Sequence, residues 1–335
     1  MFSKNLKYYR CKKFMSQRQL AALCHISPMT ISHYESGKRK PDNIQIIEKL
    51  ASVLDIQVSD FLVSRDANIK FTHGEFRKKD DLNRETENQI KGIIEEYFER
   101  LYDIMSIIGG EILPKPIQCK SLEFTNNSEQ DAYTLRQYLH FSNEGPIYNL
   151  IGTLENKGIL ICLVDINNYS FSGINGFINN RPYIAINNKM NEERKRSTIV
   201  HELIHLLFKD TLPKKKLENK IEEIMGSFLI TKEDLTRELG YQRKSITKDM
   251  CLVCKEYGIS MSLLVMRAYQ CKIISNQTKK HYYESPQFSN LNHIKLEEST
   301  LLKQLVYRAI AEENISIQKG AELLKMSYHE MVENC

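Results

Sequence analysis

Two histidines four residues apart, His201 and His205, stand in a segment whose apolar residues recur at helical spacing. In an α-helix, residues i and i+4 share one face, so both imidazoles can bind the same metal ion. Glu202 directly follows the first histidine and can act as general base toward a water molecule at that ion. The pattern His-Glu-x-x-His therefore predicts a metal-binding helix over about residues 191–208.

The alternative is an amphipathic helix that carries two surface histidines without a ligand. The flanking apolar residues argue against it, because Ile199, Val200, Leu206 and Leu207 predict a helix that is largely buried. Two buried histidines without partners would cost several kcal/mol of folding free energy. The sequence therefore favours a metal site.

A catalytic zinc site needs a third protein ligand and one open position. The next helical pattern, over residues 217–230, offers Glu218, Glu222 and Glu223 as carboxylate candidates. Glu218 and Glu222 lie on the same helical face, so periodicity does not separate them. A His/His/Glu set at neutral pH favours Zn²⁺ over manganese.

The region around this helix alternates between helical and strand patterns, which predicts a small α+β domain whose sheet packs against the metal-binding helix. The predicted elements are helices over 130–139 and 146–157, strands over 159–166, 174–178 and 183–186, and the helices 191–208 and 217–230.

The N-terminal segment, residues 1–65, is a basic unit of short helical patterns. It contains eleven Lys or Arg and five Asp or Glu, a net charge of +6, whereas the rest of the chain sums to −1. Ser16 is a natural N-cap of one helix and Pro28 suits the first position of the next. Two short helices joined by a tight turn indicate a helix-turn-helix, and the charge indicates a polyanionic partner.

The stretch SQRQLAALCHISPMTISHYESGKRKPD resembles the phage-repressor (Cro/CI, or XRE) helix-turn-helix family. The resemblance implies that this unit binds double-stranded DNA; a helical protein-interaction domain is the alternative. It also implies two sets of contacts. Met29, Ser32 and His33 would face base edges, and Gln17, Thr30, Lys38 and Arg39 would contact phosphates.

Residues from about 145 to 231 resemble the ImmA/IrrE family of metallo-endopeptidases. The motifs that carry the resemblance are GPIYNLIGTLENKGILI, FSGINGF, RPYIAINNKMNEERKRSTIVHELIHLLF and LENKIEEIMGSFLIT. It implies a zincin-like peptidase domain with Zn²⁺ as cofactor, Glu202 as catalytic base, and a Glu from the second helix as third ligand beside His201 and His205.

Aligning FLIT with the family's closing motif puts Glu218 at one acidic family position and Lys220 at the other. Glu218 is therefore the predicted third ligand, and Glu222 is the alternative. The chain departs from the family at Ile204, where Gly is frequent, and at Ile221-Glu222, which replaces an Ala-Asn pair.

The predicted chain is thus mostly helical and of the α+β class. Its predicted domains are a helix-turn-helix domain over 1–65, a linker with a long amphipathic helix over 66–113, a zinc peptidase domain over 114–275 and a helical C-terminal extension over 276–335. Residues 66–82 are predicted as the linker, 276–298 as a loop and 301–332 as two helices.

The apolar stripe of the long helix, over 83–108, fits either a homodimer seam or packing on the next domain. The segment YGISMSLLVMRAYQ resembles a further helix-turn-helix, but without a basic excess of its own it is predicted to serve packing.

Taken together, these features predict a cytoplasmic transcription regulator that binds DNA and cleaves a specific protein. The resemblance implies a repressor or regulatory protein of a mobile element or stress response as substrate. Two alternatives stay open: a regulator that uses the peptidase fold without proteolysis, for sensing or dimerisation, and an antitoxin-like protein. The longest purely apolar run has six residues and no secretory signal is visible, so no membrane association is expected.

Overall fold

The computed structural model describes residues 2–13, 15–62, 69–74, 77–78, 82–109, 112–286, 288 and 297–334. These residues divide into two compact units. One takes the described residues within Met1–Phe71, Asp80–Gly110 and Leu302–Cys335, and the other takes those within Thr72–Lys79 and Glu111–Leu301.

Helices account for most of the structure, and a short 3-10 helix (Val58–Leu62) follows α4. In chain order they are α1 (Phe2–Lys12), α2 (Gln17–Cys24), α3 (Pro28–Glu35), α4 (Ile44–Leu54), α5 (Arg84–Ile108), α6 (Ser128–Tyr138), α7 (Leu150–Glu155), α8 (Glu192–Leu207), α9 (Lys214–Leu229), α10 (Lys232–Leu239), α11 (Met250–Tyr257), α12 (Met261–Gln270), α13 (Asn276–Glu284), α14 (Leu301–Ala311), α15 (Ile317–Leu324) and α16 (Tyr328–Asn334). The strands are β1 (Phe71–His73), β2 (Arg77–Lys78), β3 (Leu160–Val164), β4 (Phe171–Ile178) and β5 (Arg181–Asn187).

The first unit contains the predicted helix-turn-helix, formed by α2 and α3. Ser16 caps α2 in a reciprocal capping box with Gln19, because each side chain accepts a hydrogen bond from the other residue's backbone N–H. His25 ends α2 in the left-handed region, at a φ of 57°. Ser27 then caps α3, whose first residue is Pro28. The predicted arrangement is confirmed.

The buried face of α3 is held by an ion pair as well as by apolar packing. Ile31 and Tyr34 are almost completely buried. Arg10 of α1 donates to Glu35 from Nε at 2.5 Å and from Nη2 at 3.0 Å, and the Glu35 side chain is only 4% exposed. Such a bidentate pair fixes the angle between helices better than apolar contact does, because both groups are planar.

The long helix α5 agrees with its prediction in extent and amphipathicity. Its apolar stripe is fully buried within the chain at Ile90, Ile94, Phe98, Leu101 and Ile104. Since these apolar side chains are already covered by other residues of the same chain, they are not available to a second copy. The helix therefore does not support the homodimer that the sequence allowed.

The helices α15 and α16 repeat the backbone geometry of α2 and α3 near the other end of the chain. Ser316 caps α15 as Ser16 caps α2, and Lys325 ends it with a φ of 56°. Ser327 and Glu330 then form a capping box at the start of α16. The predicted C-terminal region of two helices is therefore wrong in number, since α14, α15 and α16 make three, and α15 with α16 makes a second helix-turn-helix.

The second unit is built around a mixed sheet with the order β1-β4-β5-β3, in which β2 also pairs with β4. β3 runs parallel to β5, and β4 runs antiparallel to β5. α8 packs against β4 and β5, and α9 lies beside α8. The three strands predicted over residues 159–186 and the helix predicted over 191–208 are thus present.

Two other predicted segments are corrected by the structure. The proposed linker over 66–82 contains β1 and β2, which are three and two residues long and too short to show a periodic pattern. The proposed loop over 276–298 contains α13, in which Tyr282 is the one buried residue. A helix with so narrow an apolar face gives almost no hydrophobic signal.

No helix among the described residues has both the length and the apolar character that a membrane span requires.

A buried carboxyl group makes the stability of the second unit pH-dependent. Burial raises the pKa of Glu155 from 4.5 to about 7, although the Ser299 hydroxyl donates to its Oε1 at 2.6 Å. The folded pKa lies above the unfolded one, so the stabilisation is complete below about pH 4.5 and is lost as pH rises through about 7. At about 1.4 kcal/mol per pKa unit, the loss is about 3 kcal/mol.

We therefore expect the urea midpoint of the wild-type chain to fall between pH 5 and pH 8, and we expect Glu155→Gln to reduce that fall. The measurement is a pair of urea unfolding curves at both pH values for each protein. Equal falls in the two proteins would show that Glu155 is ionised in the folded chain.

Candidate metal centre

The helix α8 brings the predicted catalytic residues beneath the sheet. Asn191 caps it by accepting a hydrogen bond from Arg194 N at 3.2 Å. His201 and Glu202 are 2% and 1% exposed, so both lie in the interior, whereas the His205 side chain is 21% exposed. Ile204, at the position where the family often has Gly, belongs to the hydrophobic core.

Three side chains from α8 and α9 converge on one point. Nε2 of His201 lies 3.2 Å from Nε2 of His205, and the Glu218 carboxylate oxygens lie 3.4 Å from each of them. Within the described part of the chain, these residues form the one group of three with metal-binding geometry.

The triangle of ligand atoms fits a zinc ion. Tetrahedral zinc with bonds of 2.0–2.1 Å holds its ligand atoms about 3.3–3.4 Å apart. The two Nε2 atoms lie 3.2 Å apart, and the Glu218 carboxylate faces them with one oxygen each, Oε2 at 3.4 Å from His201 and Oε1 at 3.4 Å from His205. Two imidazoles with one carboxylate are also a ligand set that zinc accepts. The partly exposed His205 and Glu218 side chains leave one side of the triangle open to solvent, as a catalytic site requires.

Glu222, the alternative third ligand, occupies a different place. Its Oε1 lies 3.3 Å from Nδ1 of His201, on the opposite side of that ring from Nε2. A carboxylate on the outer nitrogen of a metal-binding histidine fixes the ring orientation and raises its basicity. Glu218 therefore faces the triangle, whereas Glu222 lies at ion-pair distance from the outer nitrogen of His201 without forming a hydrogen bond to it.

Glu202 is held by a residue that sequence reasoning did not single out. Asn175 on β4 donates from Nδ2 to Glu202 Oε2 at 2.8 Å. Close by, a Cβ at Gly173 would lie 2.7 Å from Thr198 Cγ2, so only glycine lets β4 approach α8 this closely. The available signal was an asparagine, a serine and two glycines in a buried strand, FSGINGF.

The predicted DNA-contacting residues lie on the outer side of the helix-turn-helix, with one exception. Met29 is 68% exposed, Ser32 and His33 are half-exposed, and Lys38 and Arg39 are exposed, the latter beside Asp42 at 2.7 Å. Thr30 is half-buried, and its hydroxyl shares a hydrogen bond with that of Ser27.

Gln17 is the exception, because its amide already has a partner inside the unit. Gln17 Nε2 donates to Glu35 Oε2 at 2.6 Å, and the side chain is half-buried. A phosphate contact by Gln17 would therefore exchange this internal hydrogen bond for an external one.

Comparison with known families agrees with this division of the chain. Residues 6–61 match the family model described as Helix-turn-helix, of the XRE type, and residues 154–269 match the peptidase M78 model described as IrrE N-terminal-like domain. The chain joins a helix-turn-helix domain to an IrrE-like domain. Both predicted resemblances are confirmed, and the IrrE-like domain contains β3–β5 and α8–α11 as well as the metal triangle.

One curated relative supports the N-terminal assignment. The chain is 33% identical over 78 residues to the uncharacterized HTH-type transcriptional regulator YqaE of Bacillus subtilis (strain 168). The match covers 23% of this chain and 66% of that relative, just under two thirds of its length. No solved structure matches the chain.

Proposed function

We propose that this chain is a DNA-binding transcription regulator whose IrrE-like domain is a zinc-dependent endopeptidase. Its substrate would be one specific protein, a repressor or regulatory protein of a mobile element or a stress response. The helix-turn-helix domain supplies the DNA contact, and the metallopeptidase-like domain supplies the chemistry.

The observation that carries the proposal is the metal triangle. The His201 and His205 Nε2 atoms lie 3.2 Å apart, each with a Glu218 carboxylate oxygen at 3.4 Å, and this arrangement supports a zinc centre with one side left open. A bound zinc would polarise the scissile carbonyl and lower the pKa of a water molecule.

The remaining roles belong to residues of this chain. Glu202 takes the proton of the attacking water and returns it to the leaving amine. Asn175 donates to one Glu202 oxygen and orients the other, and the Glu222 carboxylate, 3.3 Å from His201 Nδ1, favours the metal-bound state of that ring. Burial of Glu202 and His201 limits the motion of both side chains, which favours a reactive geometry that is formed before substrate arrives.

For the DNA contact, we assign Met29, Ser32 and His33 to base edges, because α3 exposes them on the side opposite its buried residues. We assign Gln17, Thr30, Lys38 and Arg39 to phosphates. A peptidase attached to DNA meets other proteins of the same operator at raised local concentration, which favours a DNA-bound repressor as substrate. The DNA partner also supports the cytoplasm as the place of action.

Metal analysis tests the proposed centre directly. We expect about one zinc per chain in the purified protein and almost none in His201→Ala, because two ligands rarely retain zinc against dialysis. A matched control is His140→Ala, which removes a histidine outside the triangle. Equal metal contents in wild type and His201→Ala would contradict the proposed centre.

A further inference from the structure

A groove of about 1050 Å³ lies at the C-terminal end of the second unit, between the loop over 242–246 and α13. α13 is fixed there by two hydrogen bonds. Tyr283 Oη donates to the Ser262 carbonyl at 3.0 Å, and Thr278 Oγ1 donates to the Lys244 carbonyl at 3.2 Å. The α13 groove is therefore a fixed feature, and the helix that forms it lies in the segment predicted as a loop.

The segment that forms this groove is strongly basic. Residues 241–285 contain eight Lys or Arg against three Asp or Glu, a net charge of +5 that equals the charge of the entire chain. The segment YGISMSLLVMRAYQ is predicted to serve packing because it has no basic excess of its own, and the basic excess lies in the residues on both sides of it. Outside this segment and the basic N-terminal segment 1–65, the chain sums to −6.

Two of the cations near the groove are used inside the fold. Arg243 donates from Nη2 to Asp249 at 2.5 Å and from Nε to the Leu239 carbonyl at 2.7 Å. Lys279 Nζ lies 3.7 Å from the centre of the Tyr269 ring, a cation–π contact.

Three other lysines line the groove from three different segments. Lys244, Lys272 and Lys280 are exposed, and within the described residues none of them forms an ion pair with a carboxylate. Glu284 is the acidic residue of the lining. Three cations around one opening repel each other, and an anion in the groove would remove that repulsion.

The start of α13 adds to the positive potential. Ser275 caps the helix, and Asn276 and Gln277 of its first turn also line the groove. No acidic residue lies in that turn, so the positive end of the helix dipole is not neutralised there.

We propose that the α13 groove binds the phosphate backbone of duplex DNA and gives the chain a second DNA contact in addition to its helix-turn-helix domain. The three lysines come from three separate segments and line one groove, so a ligand with several negative charges can contact more of them than a single anion can. Duplex DNA is the polyanion that the helix-turn-helix domain binds in the proposed function, on which this choice of ligand rests. Lysines that hold phosphates as point charges read no sequence, so the groove adds affinity and salt dependence without specificity.

The test compares full-length wild type with the triple variant Lys244→Gln, Lys272→Gln, Lys280→Gln. Binding to a random-sequence duplex is measured as a function of salt concentration. Each phosphate contact contributes about 0.9 to the slope of log K against log salt. We expect the triple variant to show a slope shallower by roughly 2 to 3.

The matched control is Lys115→Gln, Lys215→Gln, Lys216→Gln, which removes the same charge from exposed lysines of the same unit outside the groove. We expect its slope to equal that of the wild type, and both variants to keep the wild-type circular dichroism and zinc content. Equal slopes in all three proteins would overturn the proposal. Saturable binding of pyrophosphate that only the groove variant loses, with an unchanged DNA slope, would also overturn it in favour of a small phosphorylated ligand.

Discussion

Glu202→Gln is expected to abolish proteolysis while leaving zinc content and DNA binding unchanged. The amide keeps the shape of the side chain and can still bond to Asn175, but it cannot accept the proton of the attacking water. Loss of a general base costs about 10²–10⁴-fold in rate. The measurement compares the proteomes of cells that express wild type or variant, searching for one protein cleaved only in the presence of wild type.

The control for this comparison is Glu223→Gln on α9, which makes the same chemical change in a carboxylate that bonds to Ser128 outside the metal triangle. It should cleave like wild type. If the regulatory effect of the chain persists unchanged with Glu202→Gln, proteolysis is not its mechanism. The IrrE-like domain then acts as a sensing or dimerisation module.

The second large effect concerns the two carboxylates of α9. Glu218→Ala should lose zinc more severely than Glu222→Ala, because Glu218 reaches Nε2 of both histidines and Glu222 reaches only the outer nitrogen of His201. Loss of an outer-shell partner typically costs 10–100-fold in metal affinity. We expect Glu222→Ala within about that range and Glu218→Ala beyond it. Zinc dissociation constants from chelator competition provide the measurement.

Replacing each glutamate with glutamine distinguishes a residue that positions a histidine from one that binds the metal ion itself. Glu222→Gln keeps an oxygen near His201 Nδ1, so it should recover most of the zinc affinity that Glu222→Ala loses. Glu218→Gln should recover little, because a neutral amide is a poor zinc ligand. A chain in which Glu222→Ala releases more zinc than Glu218→Ala would have Glu222 as its third ligand.

Local patterns were enough to predict the helices that bear the site. Helix caps and the spacing of two ligands on one helix involve residues within one or two turns, so they can be predicted from neighbouring residues alone. Examples are the caps at Ser16 and Ser27 and the pair His201 and His205. The same holds for β3, where a continuous apolar run predicts a buried strand, and for α8, where a 3.6-residue apolar period predicts a helix with a buried face.

Long-range packing decided the features that the sequence left open. Glu218 and Glu222 are one helical turn apart, and only the rotation of α9 against α8 determines which of them faces the two Nε2 atoms. Asn175 reaches Glu202 because Gly173 lets β4 approach α8, a contact between residues far apart in the chain. β2 is two residues long and is ordered by its pairing with β4, so it has no pattern of its own.

The two helix-turn-helix pairs of this chain have similar backbones but different surface charges. α16 has the same capped start as α3, yet Glu330 and Glu333 stand where α3 has Thr30 and His33. Duplex DNA repels such carboxylates, so a shared backbone does not imply a shared partner.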